Sequence, residues 1–160
     1  MLKRLFKAFN KPDIAEIAAV RSDEILRAGN KYISELEEML GRINTGKLLG
    51  LILNTQVKDI VMTGRQIMEH AEKNPASAAE LRTFVDYYFP MTIKLVKAYT
   101  DSCGQTRDSA ADIIDRIRGV MDTIVDAFHK QLDAMYEAKK LDIKTDIAVL
   151  QQVIKSEGLK

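Results

Sequence analysis

The sequence predicts an all-α fold: an elongated antiparallel bundle of four long helices, followed by a short C-terminal helix. Three observations predict it. The chain of 160 residues is poor in turn and sheet signals, with 8 Gly, 3 Pro and no Trp. Apolar residues recur in steps of three and four over four long stretches, which is the spacing of one helix face. The breaks between those stretches are short, so successive helices are expected to run antiparallel.

The first two helices are separated by Asn44-Thr45-Gly46. The first is predicted to begin at Pro12 or Asp13, because proline suits a first helical position and aspartate suits a cap. The second is predicted from Lys47 to Lys73, on an apolar stripe with a period near 3.5 that is typical of bundle packing. Gly64 falls on that stripe, where a neighbouring helix could approach closely.

The third helix contains the most informative stretch of the chain, because Pro90 lies inside an unbroken apolar rhythm. The helix is predicted to begin near Ser77, with Asn74-Pro75 as the alternative start, and to end at Ser102-Cys103-Gly104. An interior proline removes one backbone hydrogen bond at a cost of roughly 3 kcal/mol. We therefore expect the helix to be kinked or split at Pro90.

The fourth helix is predicted to begin near Thr106 or Ser109 and to carry the longest uninterrupted apolar stripe. After Lys139-Lys140-Leu141, Asp142 is expected to cap a short last helix. Gly158 is the expected residue just beyond its end, since glycine accepts the left-handed conformation there.

Two parts of the chain differ in charge. Residues 1–11 form a basic amphipathic segment, and residues 12–160 form a single helical-bundle domain. The segment combines basic and apolar side chains that could contact an anionic membrane surface, although a frayed start is the simpler interpretation. The candidate membrane-contact residues are Leu2, Lys3, Arg4, Leu5, Phe6 and Phe9.

The charge pattern argues against nucleic-acid binding. The net charge of +1 becomes −3 without the first eleven residues, which leave 20 basic against 23 acidic side chains. A nucleic-acid-binding face needs concentrated positive charge. No apolar run reaches the roughly 20 residues of a membrane span, and no signal sequence is evident. We expect a cytoplasmic protein, with peripheral contact at the inner face of the membrane as an option.

Catalytic motifs are weak. His70 and His129 are the two histidines of the chain. The best catalytic candidates are Asp122, Asp126 and His129, which share one helical face, but a solvated face explains them as well. No metal site and no cofactor is predicted, and Cys103 reads as part of a turn.

Two stretches resemble a known family. Residues 87–95 read YYFPMTIKL and are followed by Tyr99, and they are similar to a "YYLPTTLKL…Y" signature. Residues 142–150 read DIKTDIAVL and are similar to a "DTDIEVL…DGL" ending. Together they resemble the 5-bromo-4-chloroindolyl phosphate hydrolysis family of bacteria, also called XpaC-like, over about residues 74 to 159. The signature residues of interest are Tyr87, Tyr88, Pro90, Thr92, Lys94, Tyr99, Asp142, Thr145 and Asp146.

The resemblance implies two functions. One is a non-enzymatic helical scaffold or adaptor that acts with a protein partner, such as a toxic-anion resistance protein, in tellurite resistance or envelope stress. The alternative is a phosphoester hydrolase for substrates like 5-bromo-4-chloroindolyl phosphate. Its site would be either the Asp122, Asp126 and His129 group or the Tyr88, Lys94 and Asp146 group. The family brings no established catalytic residues, and we expect the signature to serve packing, with Lys94 paired to Asp142 or Asp146. On these grounds a non-enzymatic role is the leading expectation.

Overall fold

The computed structural model describes residues 14–102 and 108–158, and these residues form helices without a strand. The predicted segment 1–11, the predicted start at Pro12 or Asp13, and Cys103 lie outside the described residues. In chain order the α-helices are α1 (Ile14–Leu40), α2 (Leu48–Lys73), α3 (Pro75–Ala78), α4 (Phe89–Ser102) and α5 (Asp108–Ser156).

The all-α prediction is confirmed, and the boundaries of α2 lie within one residue of those predicted. Helix α1 stops at Leu40, a few residues early, because the chain turns at Gly41. The alternative start of the third predicted helix is the one observed, with Pro75 in the first turn of α3.

The prediction of a separate short C-terminal helix is wrong. Helix α5 runs for 49 residues from Asp108 to Ser156, and Asp142 lies in its interior. No glycine or proline follows Gly119 until Gly158, and the Lys139-Lys140-Leu141 stretch consists of good helix formers, so nothing breaks the helix there. Gly158 ends it with φ of 66°, as predicted. Within the described residues, no helix combines the length and apolar character needed to cross a membrane.

The helix arrangement differs from the predicted bundle, in which all neighbours are antiparallel. Helices α2 and α5 run parallel, since Gln56 contacts Asp122 and His70 contacts Tyr136 further along both helices. By contrast α1 and α2 run antiparallel, because the Ser22 hydroxyl donates to the Pro75 carbonyl while the other ends of the two helices also meet.

Helices α1 and α4 also run parallel, with Tyr32 stacked near Phe89 and the end of α1 near Tyr99. Helices α1, α2, α5 and α4, in this spatial order, therefore each have one parallel and one antiparallel neighbour. The physical reason is the crossover after α2. There, α3 and the 3₁₀ turn Ala79–Leu81 pack across α1 and carry the chain to its far side, so α4 does not fold back onto α2.

Pro90 lies where the third predicted helix changes its winding. Phe84–Tyr88 form a π-helix, in which the Phe89 N–H donates to the Phe84 carbonyl, and α4 continues from Phe89. The wider turn accommodates a proline that has no N–H to donate. The Thr92 hydroxyl donates to the Tyr88 carbonyl at 2.7 Å. The change of winding therefore precedes Pro90, which lies in the first turn of α4, and the expected kink at Pro90 itself stays a prediction.

The aromatic centre of the core lies beside this turn. Phe84 and Phe89 each meet Phe128 of α5 edge to face, with ring centroids 5.0 Å apart. Gly64 of α2 faces the same cluster, and a Cβ there would lie 3.1 Å from Phe89. The predicted close approach at Gly64 is therefore confirmed, and it brings α2 against the start of α4.

Candidate functional site

Polar side chains follow the contact between the parallel helices α2 and α5; we call this row the polar seam. At its buried end, the Gln56 amide Nε2 donates to Asp122 Oδ1 at 2.6 Å. The Gln56 Oε1 atom is buried and has no hydrogen-bond partner among the described residues. A buried acceptor without a partner costs free energy, so the Gln56 amide is held here at the expense of one unmet hydrogen bond.

Further along the seam, by one turn on α2 and two turns on α5, Asp59 contacts His129. His129 Nε2 lies 2.8 Å from Asp59 Oδ1, and the buried Thr63 hydroxyl donates to the same oxygen at 3.1 Å. A carboxylate that bonds one ring nitrogen of a histidine orients the ring, which is the geometry used in catalytic pairs. Both side chains are about half exposed, at 49% for His129 and 40% for Asp59.

The seam then opens into a cleft of about 670 Å³ between the end of α2, the α3 crossover and α5. The His70 ring meets the Tyr136 ring edge to face, with centroids 4.9 Å apart and planes at 85°. A volume of this size lies within the range of small-molecule sites. The lining side chains that can bond or stack with a ligand are Gln66, Glu69, His70, Lys73, Asn74, Ser77, Glu80, Tyr136, Lys139 and Asp142.

Charge in the cleft is mixed. Lys73 lies one turn after His70 on α2, and Lys139 lies one turn after Tyr136 on α5, so both cations lie on the same side of the aromatic pair. Glu69, Glu80 and Asp142 line the cleft as well, so the acidic groups outnumber the lysines. An anion could bind here only through direct contact with the lysines.

The catalytic candidates do not interact with one another. Asp122, Asp126 and His129 each contact a different side chain. Asp122 accepts from Gln56, Asp126 pairs with Lys130 at 3.0 Å, and His129 bonds Asp59. Among the described residues, no three His, Cys, Asp or Glu side chains cluster as a metal site would require. Of the three candidates, only His129 has the orienting carboxylate expected of an acid–base group.

The signature residues around Pro90 divide into buried and exposed groups. Thr92 and Tyr99 are buried, and the Tyr88 ring stacks on Phe84 with centroids 4.6 Å apart. Tyr87 is 69% exposed. Most of this signature therefore takes part in packing around the π-helical turn, while Tyr87 faces solvent.

The structure does not bring Lys94 to Asp142 or Asp146, and the expected pairing is wrong. Phe89 at the start of α4 is level with Phe128, and α4 then runs back toward the start of α5. Asp146 lies 18 residues beyond Phe128, which is about 27 Å further along α5. The assumed short last helix would have folded back, whereas the continuous α5 carries both aspartates away. Thr145 bonds its own helix, donating to the Leu141 carbonyl at 2.9 Å.

The aromatic and basic residues of the cleft were not among the site residues predicted from the sequence. The signal was present as a repeated spacing: His70 and Lys73 are separated by three residues, and so are Tyr136 and Lys139. Such pairs are neighbours on one helix face, but they form a common site only if the two helices lie side by side in parallel. The predicted antiparallel neighbours would have kept these pairs apart.

Comparison with known proteins gave one match. A family model described as "5-bromo-4-chloroindolyl phosphate hydrolysis protein" matches residues 7–150, most of the chain. Neither the curated proteins nor the solved structures contain a match.

Proposed function

This chain belongs to the 5-bromo-4-chloroindolyl phosphate hydrolysis protein family, and on that premise we propose that it binds and hydrolyses phosphomonoesters of planar aromatic alcohols in the cleft between α2 and α5. The observation that carries the proposal is the cleft lining, which combines an aromatic pair with two lysines. His70 and Tyr136 supply the aromatic surface, and Lys73 and Lys139 supply the positive charge. They complement the two parts of an aryl phosphate, which are a planar ring and a negatively charged phosphate group.

Recognition of the two ends of the substrate follows from the order of the lining residues. The half-exposed Tyr136 ring offers a face against which a planar ring can stack. One turn further along both helices, the lysine ammonium groups can bond phosphate oxygens. Because three carboxylates line the same cleft, we expect binding to depend on both lysines and to weaken at high salt.

For hydrolysis in this cleft, we assign to His70 the removal of a proton from the attacking water. Water attacks phosphorus, the bond from phosphorus to the aryl oxygen breaks, and its electron pair remains on the departing oxygen. Catalysis of phosphoryl transfer depends mainly on positioning and on charge stabilisation, which the lysines supply. The His70 imidazole takes the proton from the attacking water, and the aryl oxide takes one from solvent.

The test is turnover of 5-bromo-4-chloroindolyl phosphate by purified wild-type protein and two matched variants. We expect His70→Asn to lower kcat by about 100-fold or more, the range of a general acid–base group. His129→Asn replaces the other histidine and should leave the rate within a factor of about two, because it lies outside the cleft. Equal activity in wild type and both variants would contradict the proposal.

Charge variants test the binding step separately. Lys73→Met and Lys139→Met should each raise KM, by about tenfold for a lost charge-assisted hydrogen bond. Glu69→Gln removes a repelling charge at the same rim and should lower KM. If all three substitutions changed KM by the same factor and in the same direction, the anion would have to bind elsewhere.

A scaffold or adaptor role is the second candidate function, and one observation favours it. From Tyr136 to Gly158 every residue of α5 and its cap is exposed, so a long helical surface is available for contact. A variant that lacks residues 144–160 should then lose bound partner while it keeps the cleft; retention of the partner by this variant would contradict the role. The link to toxic-anion resistance, and membrane contact by residues 1–11, stay predictions.

A further inference from the structure

The exposed end of α5 and the turn after it, residues 136–158, carry a second apolar stripe that is separate from the bundle core; we call this segment the tail. Its stripe consists of Ile143, Ile147, Leu150 and Ile154, in steps of four, three and four. All four are exposed, by 36% to 59%. Counting 100° per residue, the stripe is rotated by about 70° from the side of α5 that packs into the bundle. The tail therefore has an apolar face of its own.

We propose that the tail pairs with the same segment of a second copy, as an antiparallel two-stranded coiled coil. The stripe has the a and d positions of a heptad, with Ile147 and Ile154 at a and Ile143 and Leu150 at d. In an antiparallel pair, Ile143 packs against Ile154 of the second copy and Ile147 packs against Leu150. The symmetry repeats both contacts, which gives four apolar layers.

Charge fixes the orientation and the register. Continuing the stripe by one step in each direction reaches Lys140 at one end and Glu157 at the other. In the antiparallel register, Lys140 of each copy faces Glu157 of the other, so opposite charges close both ends of the apolar seam. In a parallel pair, Lys140 would face Lys140 and Glu157 would face Glu157. Like charges at these positions disfavour the parallel pair.

The other charges of the tail do not oppose this register. Asp142 and Lys155 fall at the outward-facing c and b positions of the heptad, and no pair of like charges is brought level along the tail. Gly158 of one copy lies level with Lys139 of the other, so the paired tails place the two bundles at opposite ends, and the end of each tail reaches the level of the other copy's cleft. The apolar seam spans about 18 Å from Ile143 to Ile154. An interface this short lies at the small end of specific contacts, so the dimer should dissociate on dilution.

Pairing of the tails does not depend on phosphoester hydrolysis, and it is tested by the molar mass of the protein in solution rather than by enzyme turnover. Sedimentation equilibrium of the full chain over a wide concentration range should show a monomer–dimer equilibrium. Ile147→Asp alters two symmetry-related layers and should raise the dimer dissociation constant by about 100-fold, or about tenfold per layer. Val149→Asp is the matched control, because Val149 is 58% exposed on the opposite side of the helix, and it should leave the constant unchanged.

Orientation is tested by charge reversal and by crosslinking. Lys140→Glu should weaken the dimer, and Lys140→Glu with Glu157→Lys should restore it. In a Cys103→Ser background, Ile143→Cys protein should form a disulfide with Ile154→Cys protein and little with itself. A monomer at every concentration, an equal effect of Ile147→Asp and Val149→Asp, or self-crosslinking of Ile143→Cys would each overturn the proposal. A different protein partner for the tail would give the first of these results.

Discussion

The two parts of α5 have similar sequence patterns and opposite surroundings. Residues 117–135 form what we call the body of α5. Its apolar side chains that face α2 and α4 are buried, and Phe128 is inaccessible to solvent, whereas Val120 is 47% exposed. In the tail, the apolar positions recur at the same spacing and are exposed. Helical periodicity thus predicts that a helix has an apolar face, but whether that face is covered depends on helices elsewhere in the chain.

Substitution of Phe128 tests the body of α5, and it has the largest expected effect. Phe128 makes edge-to-face contacts with both Phe84 and Phe89, so Phe128→Ala leaves a cavity at the centre of the aromatic cluster. We expect a loss of about 3–5 kcal/mol in the free energy of unfolding. Urea denaturation measures it.

Leu141→Ala serves as the control for that comparison. Leu141 is 65% exposed, and it lies on the tail but off the stripe. Its substitution should change the free energy of unfolding by less than about 0.5 kcal/mol. Equal losses for Phe128→Ala and Leu141→Ala would mean that the tail is as tightly packed as the body.

Two glycines compare covered and open helix faces with the same substitution. At Gly64 a new Cβ would lie 3.1 Å from Phe89, so Gly64→Ala should destabilise the protein by about 1–3 kcal/mol through overpacking. At Gly119 nothing lies within 4 Å of a new Cβ, and Gly119→Ala should stabilise the protein by about 0.5–1 kcal/mol. Thermal unfolding of both variants gives the sign; the same sign at both positions would contradict the packing described for α2.

The Asp59–His129 pair is intermediate between the buried body and the exposed tail. Both side chains are partly exposed, so solvent screening limits the coupling to about 0.2–1 kcal/mol. A double-mutant cycle of Asp59→Asn and His129→Asn, measured by urea denaturation, isolates that coupling. A coupling of several kcal/mol would show that the seam is drier at this point than the exposed fractions indicate.

Features within a single helix could be predicted from the sequence, whereas the packing between helices could not. Helix α2 was predicted within one residue, because its stripe is ended by Asn74-Pro75. The close approach at Gly64 followed from its place on the stripe. The order of the helices in space did not, because it depends on how the crossover at Pro75–Leu81 packs on α1, a contact that leaves no periodic signal.

The cleft was missed for the same reason. His70, Lys73, Tyr136 and Lys139 are unremarkable as separate pairs on two helices, and they form one site only when α2 and α5 run in parallel. The candidates Asp122, Asp126 and His129 were chosen from one helix, where spacing is visible. Spacing within a helix shows which residues share a face, whereas a site between helices also requires the packing order.

Truncation has the smallest expected effect on the body, and it tests whether the tail contributes to the stability of the bundle. A chain that ends at Ile143 keeps every residue that lines the cleft, including Asp142, and loses most of the tail. Because residues 144–158 are exposed throughout, their removal exposes no core side chain. The free energy of unfolding, measured by urea denaturation at a dilution where the dimer is dissociated, should therefore change by less than about 0.5 kcal/mol. A loss of several kcal/mol would show that the tail folds back onto its own bundle, because a helix that contacts only a second copy cannot stabilise the isolated monomer.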